Sequence, residues 1–471
     1  MLKSAALVLF SNALQGVILF ARNILVARLV SVEDYGIAVT FAIVMAAIEL
    51  ATQLGMHQLI VQDQGGNRPR FQAELQGFQL IRSSVMASFC FLAAPLMAEF
   101  FGDANLTWAF QALSLLILAR GFMHFDIFRL QRRMNFVPMA IMQTLGPLSG
   151  LLTVLPLSLV YDDYRVMLFS LIAQEVFSVG LTHLTAERRY RLRLSLVAIR
   201  RTMIFGWPLL LNGLLLFLMF HGERMVVLRA YDLQMLALFS MGITVTMTPG
   251  LMFIKTFDSL FLPKLSAAQA TPARFNEIGH TAIEVSLVMG LVFAGLTQLV
   301  TVPMILMIVG DKYSGIIWLM PWITLATAIR LFRAAPSLVL LSKAKTGSIL
   351  AANLLRIAVL PVSWLVAQNG AGVEVVLFLA ILGEVLAQIV SFGLMVRQAA
   401  IPIRPVALQI GATSFCAAVL GMHEYTIYFV ENPWIDPNWT KIAVAFLGGV
   451  TLATTRRFWR MFRRELGALG A

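Results

Sequence analysis

Charge is what this chain has least of. Asp, Glu, Lys and Arg make up 13% of its 471 residues, while 59% are apolar and the mean hydropathy is +0.82. The charged share is about half that of an ordinary soluble protein. This excludes a water-soluble globule, which could not hide so much apolar surface, and it excludes disorder, which needs the opposite balance. Cysteine is scarcer still. Cys90 and Cys416 both sit in apolar runs, which excludes a disulfide framework or a thiolate metal site and leaves them as small buried hydrophobes. The six histidines do not cluster at metal-ligand spacing, and no His-Glu-x-x-His is present. A Gly-x-x-x-x-Gly-Lys-Ser/Thr loop is also missing, so the protein does not hydrolyse ATP itself. Polar stretches are too short for an aqueous domain. A membrane glycosyltransferase or acyltransferase assembles its site on such a domain, so this absence points away from an enzyme and toward a carrier.

What is present is an all-α integral membrane protein. Runs of about 20 apolar residues read as fourteen transmembrane helices, near 5–30, 36–60, 76–98, 105–124, 137–160, 164–184, 203–228, 234–262, 281–309, 316–341, 347–368, 373–396, 405–422 and 439–455. Run length and the absence of period-two alternation exclude a β-barrel. The first run has no small-residue cleavage site and reads as a retained helix, not a signal peptide. With the N-terminus inside, inner segments hold 23 Lys and Arg, from Lys3 to Arg464, against three outside (Arg165, Arg229, Lys312). Acids such as Glu33, Asp103, Asp162 and Asp232 fall outside instead. The formal charge of +12 is therefore topological information and not a nucleic-acid footprint. Both termini are expected in the cytoplasm. The longest inner loop, Glu187 to Arg201, reads as an amphipathic basic linker with Leu192, Leu194, Leu196 and Ile199 against lipid.

The chain also looks duplicated. Asn23–Arg28 aligns with Arg224–Arg229, Ala119-Arg120 with Ile329-Arg330, and Leu168–Val176 with Leu377–Val385, all in one order. These matches predict two parallel six-helix lobes, 1–184 and 203–398, joined by a cytoplasmic linker, 185–202. Residues 399–471 would add two helices and a basic tail.

Cations deep in the bilayer cost at least about 2.5–3.5 kcal/mol each. Arg22, Arg224, Lys255, Arg330, Arg333 and Arg356 nevertheless fall within spans, which implies a wet or paired interior. Arg28, Arg82, Arg120 and Lys441 read as lying near span ends, within snorkelling reach of water. Ser11, Gln15 and Arg22 recur on one face of the first helix, and Ser240, Thr244, Thr248, Lys255 and Ser259 on one face of the eighth. Glu49, Glu175 and Glu384 are the most central acids. They either neutralise arginines, for instance Glu384 with Arg330 or Arg356, or serve as sites for a coupling ion.

The segment Arg22-Asn23-Ile24-Leu25-Val26-Ala27-Arg28-Leu29-Val30-Ser31-Val32-Glu33-Asp34-Tyr35-Gly36 resembles a recurring feature of polysaccharide flippases. There an Ala-Arg-Leu-like stretch ends the first helix and Tyr-Gly opens the second. That family belongs to the multidrug/oligosaccharidyl-lipid/polysaccharide exporter superfamily. The resemblance implies two lobes alternately opening a cavity to either side of a bacterial inner membrane. The cargo it implies is a polyprenyl-diphosphate-linked oligosaccharide for polysaccharide biosynthesis. Transport would need no cofactor beyond coupling to H+ or Na+, and a polysaccharide polymerase or export machinery would be a partner. The diphosphate would be held by Arg22, Arg28, Arg224, Lys255, Arg330, Arg333 and Arg356, with Gln15 beside them. Glu49, Glu175 and Glu384 are the candidates for ion coupling. A multidrug exporter of the same fold is the alternative carrier, and a membrane-embedded glycosyltransferase the alternative from another class.

Overall fold

The computed structural model describes residues 2–51, 54–297, 301–411, 449 and 455–460. Among them there is no strand. Contacts divide the chain into two units, Met1–Ala237 and Leu238–Ala471.

In the first unit α1 (Leu2–Leu29), α2 (Val32–Ala51) and a short α3 (Met56–Gln62) precede the long α4 (Pro69–Phe100). Then come α5 (Thr107–Gly121), α6 (Asp126–Arg132), α7 (Val137–Ser158), α8 (Arg165–Leu184) and α9 (Leu196–Ala230). α4 lies along α5, α7 along both α1 and α8, and α9 along α2. Small residues permit the closest approaches, as expected where lipid supplies no hydrophobic drive for helix association. A Cβ on Gly213 would collide with the carbonyl oxygen of Leu50, and one on Gly206 would stand 2.6 Å from that of Leu54. α9 therefore seats its glycine face directly on the end of α2. α10 (Leu233–Ala267) begins in the first unit and continues into the second, where α11 (Pro272–Leu296), α12 (Val302–Val309), α13 (Ile316–Phe332), α14 (Ala334–Ser342), α15 (Thr346–Ile357), α16 (Val359–Gln368) and α17 (Val373–Ala399) follow. Phe257, Phe261, Phe275, Leu287, Phe332, Leu338, Phe392 and Met395 form the centre of its core.

Ten described helices are long and apolar enough to cross a membrane, and an eleventh if α5 and α6, bent by 50°, are one broken span. This is a multi-pass membrane protein. Against fourteen expected spans, the last two fall largely outside the described residues, and α2, which carries Glu33, Asp34 and Glu49, is not among the ten. α2 also ends at Ala51, short of the expected 60, where Gly55 in the left-handed region (φ 63°) turns the chain into α3.

The α5–α6 break is fully provided for. The backbone N–H groups that a continuous helix would satisfy internally donate instead to side chains: His124 to Thr182 Oγ1 (3.0 Å), Phe125 to Gln76 Oε1 (3.1 Å) and Asp126 to His124 Nδ1 (3.1 Å). Irregular backbone at this depth is tolerated only when such partners exist. At the same end Arg132 donates to the carbonyls of Ile60, Val61 and Asp63, closing the C-terminus of α3.

The linker between α8 and α9 differs from the expected amphipathic helix. From Ala186 to Ser195 it forms no helix, and the chain bends at Glu187 and Arg188. Its backbone is tied at three places: Glu187 N–H and Arg188 N–H donate to Asp126 Oδ2 (2.9 and 3.3 Å), Gln76 Nε2 donates to Arg191 O (2.9 Å), and Arg193 N–H donates to Ala73 O (3.0 Å). These bonds replace the internal ladder a helix would have made. Leu192, Leu194 and Leu196 are exposed as expected, whereas Ile199 packs against the core around Phe71 and Phe125.

Candidate functional site

Within the first unit, helices α1 to α8 surround an open cavity of about 530 Å³. Its polar wall carries Gln15, Glu49, His57, Gln79, Arg82, Arg120, Gln143, Gln174 and Glu175. Met45, Met56, Met123, Met139 and Met142, with Phe125 and Phe128, also line it. Thioether side chains are flexible and polarisable and adapt to an irregular apolar partner. A surface that pairs guanidinium groups with methionines suits a molecule with an anionic and an apolar part.

Arg120 organises the polar wall. Its Nε donates to Glu175 Oε1 and its Nη1 to Glu49 Oε2, each at 2.8 Å. Glu175 is buried, while the Glu49 side chain is 58% exposed, so one arm of the pair is fixed and the other is open to exchange. Gln79 accepts from Arg82 Nη2 (3.0 Å) and donates to the Arg120 carbonyl (3.2 Å), which sets the two guanidinium groups side by side. Arg22 is buried one layer behind, and its Nη1 donates to Gln174 Oε1 at 2.5 Å. Arg22 thus reaches the cavity wall through an amide and not directly. Tyr35, itself buried, interacts electrostatically with both Arg22 and Arg224. Beside it Gly36 leaves no room for a Cβ against the carbonyl of Leu233. Gly36 therefore has a physical duty here, a close helix contact.

In the second unit Arg330, Arg333 and Arg356 converge on Glu384. Arg330 Nε and Nη2 donate to Oε1 at 2.9 and 2.6 Å, Arg356 Nε lies 2.6 Å from the same oxygen, and Arg333 Nη2 lies 3.3 Å from Oε2. Arg333 also donates to Asn353 (2.8 Å). Arg333 stands at the junction of α13 and α14, and Arg356 two residues before the junction of α15 and α16. The Arg–Glu pair is thus present in both units, on α5 and α8 and again on α13 and α17, with the same Nε-to-Oε1 contact. The surroundings have opposite sign. A second acid joins the first pair and two further arginines join the second.

Of the remaining sequence candidates, Gln15 lines the cavity, Arg28 is exposed in the last turn of α1, and Lys255 is exposed on α10. Arg82 and Arg120 are the functional candidates that sequence reasoning set aside as span-end residues. The signal that could have found Arg120 was the repeat itself, which aligned it with Arg330.

Residues 25–318 match the model of a family described as polysaccharide biosynthesis protein. This chain belongs to that family. The matched stretch contains every cavity-lining residue except Gln15. No curated protein sequence matches the chain. Among solved structures, the lipid II flippase MurJ in an inward-closed conformation aligns with a TM-score of 0.69 at 14% identity, over 99% of this chain and 100% of that one. An inward-facing multidrug resistance MATE family transporter of the MOP superfamily aligns at 0.64 and 17%, over 80% and 93%. A eukaryotic MATE transporter, AtDTX14, aligns at 0.55 and 12%, over 84% and 96%. This polysaccharide biosynthesis protein thus shares its fold with these transporters.

Proposed function

We propose that this protein is a secondary transporter that flips a polyprenyl-diphosphate-linked oligosaccharide from the cytoplasmic to the outer leaflet of a bacterial inner membrane. The observation that carries the reading is the first-unit cavity, where Arg82 and Arg120 share the lining with five methionines, Met45, Met56, Met123, Met139 and Met142. A diphosphate is best held by guanidinium groups in a partly desolvated cleft, and a polyprenyl chain needs an apolar, adaptable neighbour. Arg330, Arg333 and Arg356 are gathered in a mostly buried cluster on Glu384, whereas Arg82 and Arg120 line the open cavity, so the first contact with the diphosphate falls to Arg82 and Arg120. Arg120 exchanges Glu49 for a phosphate oxygen, Glu175 keeps the guanidinium in place, and Arg22 acts through Gln174. The carboxylate released at Glu49 then takes up H+ or Na+, which couples the cargo to an ion gradient. No step requires catalysis.

Proteoliposomes carrying a fluorescent polyprenyl-diphosphate sugar test this reading. Arg82→Ala with Arg120→Ala should cut flipping at least tenfold with insertion unchanged, and Arg120→Lys should recover part of it, since an ammonium cannot bind bidentately. Undiminished flipping by the double variant overturns the reading. A second reading, export of small organic cations, draws on the exposed carboxylate of Glu49 with Phe125 and Phe128 nearby. Efflux of a cationic dye abolished by Glu49→Gln, with no lipid flipping by the wild type, would favour it.

A further inference from the structure

A second, smaller pocket lies away from the transport cavity, where the linker crosses the start of α4. It measures about 230 Å³ and is lined by Pro69, Gln72, Ala73, Gln76, Arg188, Arg189 and Arg191. No acid lines it. Gln72 and Gln76 are buried at its floor, and Gln72 Nε2 donates to Gln76 Oε1 at 3.2 Å. Arg188 forms the fixed wall, with Nη1 on Gln72 Oε1 (3.2 Å) and Nη2 on Asn67 O (2.9 Å). Arg189 and Arg191 are exposed at the rim and engage no carboxylate in an ion pair among the described residues. A Cβ on Gly77 would strike the Arg193 carbonyl, so the linker is seated on α4 and holds the pocket's shape.

The chain alternates beyond this point. Arg189, Arg191 and Arg193 are interleaved with Tyr190, Leu192 and Leu194. Leu192 and Leu194, with Leu196 and Val197 at the start of α9, are exposed. An apolar strip beside a guanidinium-lined pocket marks the level of a membrane surface.

We propose that this pocket binds the phosphate of an anionic phospholipid headgroup, with Arg188, Arg189 and Arg191 around the phosphate and Leu192 and Leu194 against the acyl chains. Such a ligand bridges α4 to the segment joining α8 and α9, and it makes the linker's order depend on lipid composition. The site is separate from the transport cavity, so the proposal stands or falls apart from the cargo assignment.

Native mass spectrometry of the full chain, delipidated and then titrated with phosphatidylglycerol or phosphatidylcholine, tests it. Wild type should bind one phosphatidylglycerol at least tenfold more tightly than Arg189→Gln/Arg191→Gln, and phosphatidylcholine should not distinguish them. Both arginines are exposed rim residues, so the variant keeps the Arg188 and Gln76 ties. Hydrogen exchange of the 186–195 amides provides a second readout, with protection by phosphatidylglycerol expected in wild type only. Inorganic phosphate is the third arm. Protection by phosphate alone, equal to that by the lipid and lost in the variant, would assign the same pocket to a soluble anion and overturn the lipid source. Equal lipid affinity of wild type and variant, with equal protection, overturns the site altogether.

Discussion

Neutralising Glu384 should damage the protein far more than neutralising its counterpart Glu175, although both accept a hydrogen bond from an arginine Nε. In Glu384→Gln the shape of the side chain is kept and only its charge is removed. Three guanidinium groups, at 2.6, 2.6 and 3.3 Å from the carboxylate, then face a neutral amide and one another in a site where the Glu384 side chain is 1% exposed. Breaking a buried ion pair from one side costs about 3–5 kcal/mol, because the partner charge is left uncompensated. Here three partners are stranded, so the upper part of that range applies. In Glu175→Gln, Arg120 still holds Glu49 at 2.8 Å, and its own side chain is 31% exposed. That loss should stay near the cost of one charge-assisted hydrogen bond, about 1–2 kcal/mol. Denaturant titration of the detergent-solubilised protein measures both, provided the slopes match. A further arm checks the cause: adding Arg356→Met to Glu384→Gln removes one stranded cation and should recover stability. Equal losses for the two glutamine variants, or no recovery with Arg356→Met, would refute the argument that the second cluster is held by charge balance.

Two other expectations concern the first unit. Asp126→Asn removes a buried carboxylate that accepts from Arg129 Nε and Nη2 (2.6 and 3.0 Å) and from two linker N–H groups. It should cost about 3–5 kcal/mol and make 186–195 the preferred site of limited proteolysis, a change read by mapping the first cleavage. Gly213→Val drives a side chain into the Leu50 carbonyl and should destabilise by about 1–3 kcal/mol. The reading is a lowered thermal midpoint, and the exposed Leu211→Val should leave that midpoint nearly unchanged.

Much of the fold was legible because the bilayer imposes a length and a polarity on each helix. Spans 137–160, 164–184 and 373–396 coincide with single described helices to within a few residues, 203–228 and 234–262 lie inside the longer α9 and α10, 316–341 and 347–368 each match a helix broken once, and 281–309 covers α12 and all but the first nine residues of α11. Among the described residues ten or eleven helices meet the length and polarity of a span, and the last two expected spans lie largely outside those residues. The run rule ignores acids such as those of α2, and it reads through breaks at which side chains take over the backbone's hydrogen bonds. The linker misread had a similar cause. Apolar residues at 192, 194, 196 and 199 fit a helical surface, but the bonds that hold 186–195 come from Gln76, Ala73 and Asp126, remote in sequence.

The site divided along the same line. Composition was enough to require a membrane, and the cost of burying charge was enough to require partners for the intramembrane arginines, with Glu384 named among them. Local sequence also carried the family's mark at Tyr35-Gly36. It could not rank the arginines, since distance along a helix says nothing about which side chain meets an acid and which meets a cavity. Only the packed helices decided that three arginines share Glu384, that Arg22 stops at Gln174, and that Arg120, bracketed by two carboxylates just before α5 breaks, faces open space. Each of these outcomes depends on residues on different helices, 28 to 152 positions apart, being brought within hydrogen-bond distance, and pairing of that kind is a property of tertiary packing alone.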